Sequence, residues 1–422
     1  MKEQINNTPH GSEQPKEPTA PISIEELEET LSTTIKEDKT NKVITFLAML
    51  LNYTDQDQMN IAFSAESSTG KSYIPLEIAA YFPKEDILER AYSSPTAFYH
   101  DEGKWNNELK IISIKLEKKI LIFLDQPHDS LLHRLRSLLS HDKRRLIFKI
   151  TDRTAQYGLK TKTVVIRGFP TVIFCSAKYS MDDQERTRML VLSPEKDQEK
   201  LESSIDLLAE KLSDRKKYTK ELESNARRKW LKDRVKLTKE ANVEEIIIKH
   251  EDKEYMLKRF HEEHPNLIPR YQRDFPRLIA LAKAYALLNL FSRKKTKDGH
   301  SITATREDIE VGYELYKQIS EANELGLPPE VYNIYQKVLK PNLIDEGILL
   351  KEFDRFYYKV YHKPLGIRRR DSVLNLLCSA GLVLLEPDPK DRRYNRIYPQ
   401  VVCYLSQTEL DAKTDESIQR FI

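Results

Sequence analysis

The segment from Asn60 to Tyr81 constrains the fold more than any other part of the chain. NIAFSA has the composition of a buried strand, AESSTGKS follows as a turn, and a helical pattern runs from about Ser72 to Tyr81. The turn, Ala65, Glu66, Ser67, Ser68, Thr69, Gly70, Lys71 and Ser72, fits the loop that cradles phosphates between a strand and a helix, with Ala65 in place of the usual first glycine. Backbone N–H groups in such a loop, together with the start of the helix, converge on one spot and favour negative charge there. Lys71 would neutralise the outer phosphates of ATP, and the Ser72 hydroxyl would reach Mg2+. A second strand, ILIFLD, ends in Asp125 about 50 residues further on, where a carboxylate would hold the same Mg2+ through water.

A chain of 422 residues has room for roughly two to three domains at ~150 residues each, and its 39% hydrophobic content can supply a core. Charged residues at 32% against 11 glycines favour long, charge-laced helices around the strands. The net charge of +3 gives no global reason to expect nucleic acid or a membrane, so any such partner must be read from local clusters. Cys175, Cys378 and Cys403 form no C-x-x-C pair, and no apolar run reaches the ~18 residues of a membrane span. The first twenty residues lack the apolar core of a signal peptide, so the expectation is a cytoplasmic protein with no membrane partner.

Four segments follow from the patterning. Residues 1–22 are polar and proline-bearing, as in a disordered tail. Residues 23–193 alternate strands with helices after a helical lead-in, the rhythm of a parallel α/β core. Within them, LIFKIT and KTVVIRG flank a polar turn and predict a hairpin over Leu146 to Ile166, with the strand TVIFCSA after it. Residues 194–326 begin with dense mixed charge, where Leu201, Ile205, Leu208 and Leu212 keep a 4-3-4 spacing that Arg215 ends, predicting a surface helix pair. They continue as a helical lid whose Leu278, Ile279, Leu281, Tyr285 and Leu288 form one face after a Pro276 start. Residues 327–422 run helix, helix, helix and two strands around a charged turn, the order of a winged helix-turn-helix.

With the loop and the acid-ended strand in place, the chain over roughly residues 40 to 320 resembles the AAA+ P-loop ATPases, and more loosely the minichromosome-maintenance helicases and the replication ATPases of mobile elements. The resemblance implies roles for further residues. Gln126 stands where many of those ATPases carry a glutamate, and a neutral amide orients a water without taking its proton, so hydrolysis is slow or an acid such as Asp129 serves. TVIFCSA matches the sensor-1 strand and places Ser176 near the γ-phosphate. DDQERTRMLVLSP resembles the segment carrying the trans-acting arginine finger, with Arg188 the better match over Arg186. RDFPRLIALAKAYA resembles the sensor-2 helix, with Arg273 first and Arg277 second; an arginine opening a helix opposes the macrodipole and calls for an anion. The family implies a homo-hexameric ring.

For DNA, the hairpin bears Lys149, Arg153, Lys160 and Lys162, which suit a phosphate backbone. Lys351 to Arg396 holds eleven Lys or Arg against six acids, with Arg368, Arg369 and Arg370 opening the recognition helix and Lys390, Arg392 and Arg393 in the wing. Taken together, these features predict an ATP-dependent DNA translocase, helicase or replication initiator. A nucleotide-switched DNA-binding or loader protein and an ATPase that remodels proteins are the alternatives.

Overall fold

The strands β1 (Ile61–Ser64), β5 (Ile120–Phe123), β8 (Thr171–Ser176) and β9 (Leu190–Leu192) are buried along their whole length, as strands covered on both faces must be. The computed structural model describes residues 17–55, 57–91, 103–108, 111–125, 129–140, 144–152, 160–176 and 187–400. It has a mixed α/β fold around a parallel five-stranded sheet in the order β2-β5-β8-β1-β9, with β2 at Ile87–Arg90.

Side chains alternate across that sheet with the two-residue period of a strand. Ile61, Phe63, Ile120, Ile122, Ile173 and Cys175 face the larger core, with the helices α1 (Ile24–Leu31), α2 (Lys39–Leu50) and α3 (Tyr73–Ala79). Ala62, Leu121, Phe123, Val172 and Phe174 face a second core. That core is closed by α4 (Asp129–Leu139) and by a second sheet in the order β3-β4-β7-β6. In it, β6 (Arg145–Asp152) and β7 (Lys160–Arg167) form an antiparallel hairpin, as expected from the sequence. The strands β3 (Lys104–Asn106) and β4 (Ile111–Lys115) were not foreseen; β4 pairs with β7 in parallel and carries the hairpin as part of a four-stranded layer.

The charged region after β9 contains three helices where a pair was expected. α5 (Gln198–Ser213), α6 (Arg215–Ser224) and α7 (Ala226–Glu240) start at Asp197, Asp214 and Asn225, whose side chains accept from the N–H groups of Lys200, Lys217 and Arg228 at 2.9–3.0 Å. The chain continues through β10 (Glu245–Ile247), α8 (His250–Glu263), α9 (Tyr271–Leu288), β11 (Lys294–Lys295), β12 (Ser301–Thr303) and α10 (Arg306–Glu324). Pro276 does not start α9 but lies inside it. Near a helix start a proline forfeits few backbone bonds, which explains the tolerance. α9 and α10 meet at Gly312, where an added Cβ would come within 2.7 Å of the Ala282 backbone.

Residues 17–22 belong to this packed body and not to a disordered tail. Ile22 is buried, its N–H donates to Asn289 Oδ1 at 2.9 Å, and Trp230 Nε1 donates to the carbonyl of Glu17.

The chain divides into two units between Glu330 and Val331. From Pro329 onward the order is α11 (Pro329–Ile334), a π-helical turn (Tyr335–Leu339), β13 (Ile348–Leu349), α12 (Leu350–Tyr361), α13 (Ile367–Ser379), β14 (Val383–Pro387) and β15 (Asn395–Pro399). The three strands form an antiparallel sheet, β13-β15-β14.

Candidate functional site

The loop from Ala65 to Ser72 leaves the carboxyl end of β1 and enters α3. Two of its residues take positive φ, Gly70 at +94° and Ser68 at +64°; the glycine is therefore required by conformation, since a Cβ there would meet no neighbour within 4 Å. Lys71 Nζ and Thr69 Oγ1 both donate to the carbonyl of Glu66, at 2.7 and 2.9 Å, which curls the loop over itself.

The sheet then brings the other predicted residues to the same place. Ser64 pairs with Ser176 and Phe123 with Phe174, so the ends of β1 and β8 and Asp125, two residues beyond Phe123, come level. The chain leaves β1 for the β2 edge, returns through β5 and β8 to its side, and places β9 on its other flank. Such a switch in strand order opens a crevice beyond the carboxyl ends, where α/β sheets bind ligands. Ser72 Oγ donates to the carbonyl of Leu124 at 3.5 Å, next to Asp125, and Ser176 is buried beside the loop. A hydroxyl, a carboxylate and an ammonium around a loop of backbone donors fit Mg2+ with a polyphosphate: Ser72 and Asp125 would hold the ion and Lys71 the phosphates.

Cys175 is a member of this site that its sequence did not reveal. Its Sγ donates to the carbonyl of Lys71 at 3.4 Å. Burial pushes the thiol up to about 12, against the pull of the Ser72 hydrogen bond and the Lys71 charge, so it is protonated at neutral pH and is no nucleophile. The first turn of α5 braces the loop from outside. Lys200, 7% exposed, donates to the carbonyls of Thr69 and Glu195 at 3.3 and 2.9 Å and is ion-paired with Asp38, while Lys196 lies 3.4 Å from the Glu66 carboxylate. Both lysines were read only as part of a charged run. Gln126, Arg153 and Arg186 lie outside the described residues, and Asp129 opens α4.

The arginines assigned by resemblance gather elsewhere. Arg188 and Arg273 line a cavity of about 460 Å3 with Gln58, Asn60 and Arg277. Asn60 precedes β1, so this cavity lies at the amino ends of the strands. The four residues of β1 separate Asn60 from Ala65, five steps or roughly 16 Å at a strand's rise. The arginine cavity and the phosphate loop of one chain therefore lie toward opposite ends of the sheet. Arg277 is buried and structural: it donates to Asp274 Oδ1 at 2.6 Å and to the carbonyls of Thr187 and Met189 at 2.9 and 2.6 Å. It thus holds the turn that presents Arg188, whose Nε donates to Ser140 Oγ at 2.6 Å. Arg273 is exposed.

The expected DNA contacts divide in the same way. In the hairpin, Lys149 pairs across from Thr163 and Lys162 from Ile150, so the two lysines lie on opposite faces and do not form one track. Lys160 opens β7 opposite Asp152. In the C-terminal unit, Arg370 is tied to Asp354 at 2.8 Å, and Arg369 is half-buried. Arg368 at the start of α13, with Lys390, Arg392 and Arg393 between β14 and β15, is exposed; Arg393 pairs with Asp391.

No family model matches the sequence, and no curated protein matches it. Among the described residues no helix is long and apolar enough to cross a membrane.

Proposed function

We propose that the protein is an ATP-driven DNA motor: an AAA+ ATPase core that works as a ring, with a winged helix-turn-helix after it. The observation that carries the reading is the meeting of Lys71, Ser72, Asp125 and Ser176 at the carboxyl ends of adjacent strands, with Arg188 and Arg273 at the other end. Half of a phosphoryl-transfer site thus faces one way and its cationic half the other. Copies arranged head to tail complete both halves. In the completed site Lys71 and the loop donors bind the phosphates, and Ser72 and Asp125 hold Mg2+, which when bound neutralises phosphate charge. Ser176 positions the terminal phosphate, and Arg188 with Arg273 of the next copy stabilises the charge of the transition state. The resemblance makes the ring one of six.

The DNA part of the reading rests on the C-terminal unit. Its helix-helix-strand-strand order and the exposed Arg368, Lys390 and Arg392 suit a duplex, with α13 in the major groove and the β14-β15 turn on the backbone. Replacing Arg368 and Arg392 together by alanine should weaken DNA binding at every sequence and lower the slope of log K against log salt by about 1.8, from ~0.9 per phosphate contact. An unchanged slope would remove these residues from the interface. The experiment for the whole reading is ATP hydrolysis with and without single-stranded DNA, followed by strand displacement. Stimulation with unwinding supports the motor. Binding and assembly without unwinding supports the second reading, a nucleotide-switched loader, which the neutral Gln126 favours.

A further inference from the structure

We infer that the outward face of α12 is a track for single-stranded nucleic acid, distinct from the α13 surface. α12 packs into the C-terminal unit through Phe353 and Tyr357, which are buried. On the side turned away from them, Lys351, Arg355 and Lys359 follow one another at intervals of four residues, with Tyr358 among them, and all four are exposed. Like charges at that spacing repel and weaken a helix. Other exposed lysines of this chain meet a carboxylate four residues on, as Lys217 meets Glu221 and Lys258 meets Glu262. The row on α12 does not. The two acids of the helix are engaged elsewhere: Glu352 accepts from the N–H of Leu349 at 2.8 Å, and Asp354 accepts from Arg370 of α13 at 2.8 Å.

Aromatic rings, not carboxylates, hold these cations. Lys351 Nζ lies 5.3 Å from the centre of the Tyr394 ring, and Arg355 and Lys359 lie 5.5 and 5.9 Å from that of Phe356. A ring steadies a cation without neutralising it, so the charge stays available to a polyanion. Among the described residues none of the three has an ion pair. Tyr394 ends the β14-β15 turn, where Lys390 and Arg392 are exposed, so the positive surface continues from the start of α12 onto that turn. The other acids of the unit lie off the row: Asp345 and Glu346 come before β13, Asp371 on α13 is 3.4 Å from Arg370, and Glu386 sits opposite Arg396 in the strand pair. Charge therefore selects a polyanion, and Tyr358 selects its form. A ring 55% exposed among three cations can stack on the face of a base, which a single strand offers and a duplex closes off between neighbouring pairs. The inference shares with the proposed function only the class of ligand; it needs neither the ATP site nor α13.

The test is the fluorescence anisotropy of a labelled oligothymidylate with the full chain, without nucleotide, over a range of salt. The parent protein should bind it. Lys351→Ala, Arg355→Ala and Lys359→Ala together should lower the slope of log K against log salt by about 2, from ~0.7 per phosphate on a single strand. Lys216→Ala, Lys220→Ala and Lys229→Ala, exposed on α6 and α7, remove the same charge elsewhere and should leave the slope in place. Tyr358→Ala should weaken binding about tenfold at an unchanged slope, and Tyr358→Phe should restore it, because stacking needs the ring and not the hydroxyl. A thermal melt of each variant separates loss of binding from loss of fold. An unchanged slope in the triple variant overturns the track, as does binding of polyglutamate through these residues with none of oligothymidylate. Equal binding by Tyr358→Ala, or a slope lost for a duplex of the same length and kept for the single strand, overturns the single-stranded form. Oligothymidylate binding through this row by a chain that hydrolyses no ATP keeps the track and removes the motor. DNA-stimulated hydrolysis that the triple variant retains in full, with its binding unaltered, keeps the motor and removes the track.

Discussion

Replacing Lys71 by alanine is expected to abolish ATP hydrolysis and leave the fold intact. The Lys71 ammonium donates to the carbonyl of Glu66 at 2.7 Å within its own loop, at the surface of the crevice and not in the core. Removing that contact should change stability by less than ~1 kcal/mol, the scale of a single hydrogen bond near solvent. On the proposed ATPase reading, what is lost is positive charge aimed at the phosphates as negative charge shifts during transfer. Loss of one such group costs on the order of 3–4 kcal/mol of transition-state stabilisation, or 10²–10³ in rate. Steady-state phosphate release at saturating ATP, beside a thermal melt of the same sample, checks both halves. Full activity in the variant would remove the loop from the chemistry.

Arg234→Met is expected to be the most destabilising single change outside the strands. Arg234 is 1% exposed and is satisfied almost wholly by backbone: Nε donates to the carbonyl of Leu288 at 2.7 Å, Nη1 to that of Pro18 at 2.7 Å, and Nη2 to Asn289 Oδ1 at 3.2 Å. Leu288 is the last residue of α9, so the guanidinium also answers the negative end of that helix. Burial, with Arg293 nearby, lowers its pKa to about 10, which leaves it charged at neutral pH. Methionine matches the length of the stem but leaves several buried carbonyls without donors and removes the tie between Pro18 and the end of α9. The combined effect is about 3–5 kcal/mol, the range for breaking a buried charged network. A urea titration gives the number directly, and a change under ~1 kcal/mol would show that water replaces the guanidinium at no loss.

The parts of this chain that were legible in the sequence are those whose cause is local. Gly70 closes the phosphate loop with a positive φ that its place in the motif demands, and the hairpin's two strands flank their own turn. Alternation along β1, β5 and β8 was masked because both faces are buried, yet continuous apolar runs of four to six residues still marked them as strands. The missed features depend on distant partners. β3 is only KWN, and nothing in three residues tells that β4 will pair with β7 some fifty residues later. Lys200 looks like any surface cation until the fold buries it against Thr69, and Arg277, matched by resemblance to a phosphate-sensing arginine, is instead spent on the carbonyls of Thr187 and Met189. Arg273 illustrates the same limit from the other side. An arginine opening a helix asks for an anion, but only the fold shows that Arg273 lines a cavity with Asn60, at the end of β1 away from the phosphate loop.

The central claim is that each ATP site is shared between two copies. The direct test mixes two inactive variants, Lys71→Ala, which keeps the arginine face, and Arg188→Ala, which keeps the phosphate loop. Each alone should hydrolyse ATP at no more than about 1% of the parent rate, given the 10²-fold or larger effect of a missing charge-stabilising group. Mixed in equal amounts, they form interfaces in which an intact loop faces an intact Arg188, and a substantial part of the parent activity should return. If mixed assemblies form and the rate stays at the level of the separate variants, the site is not shared and the account is wrong.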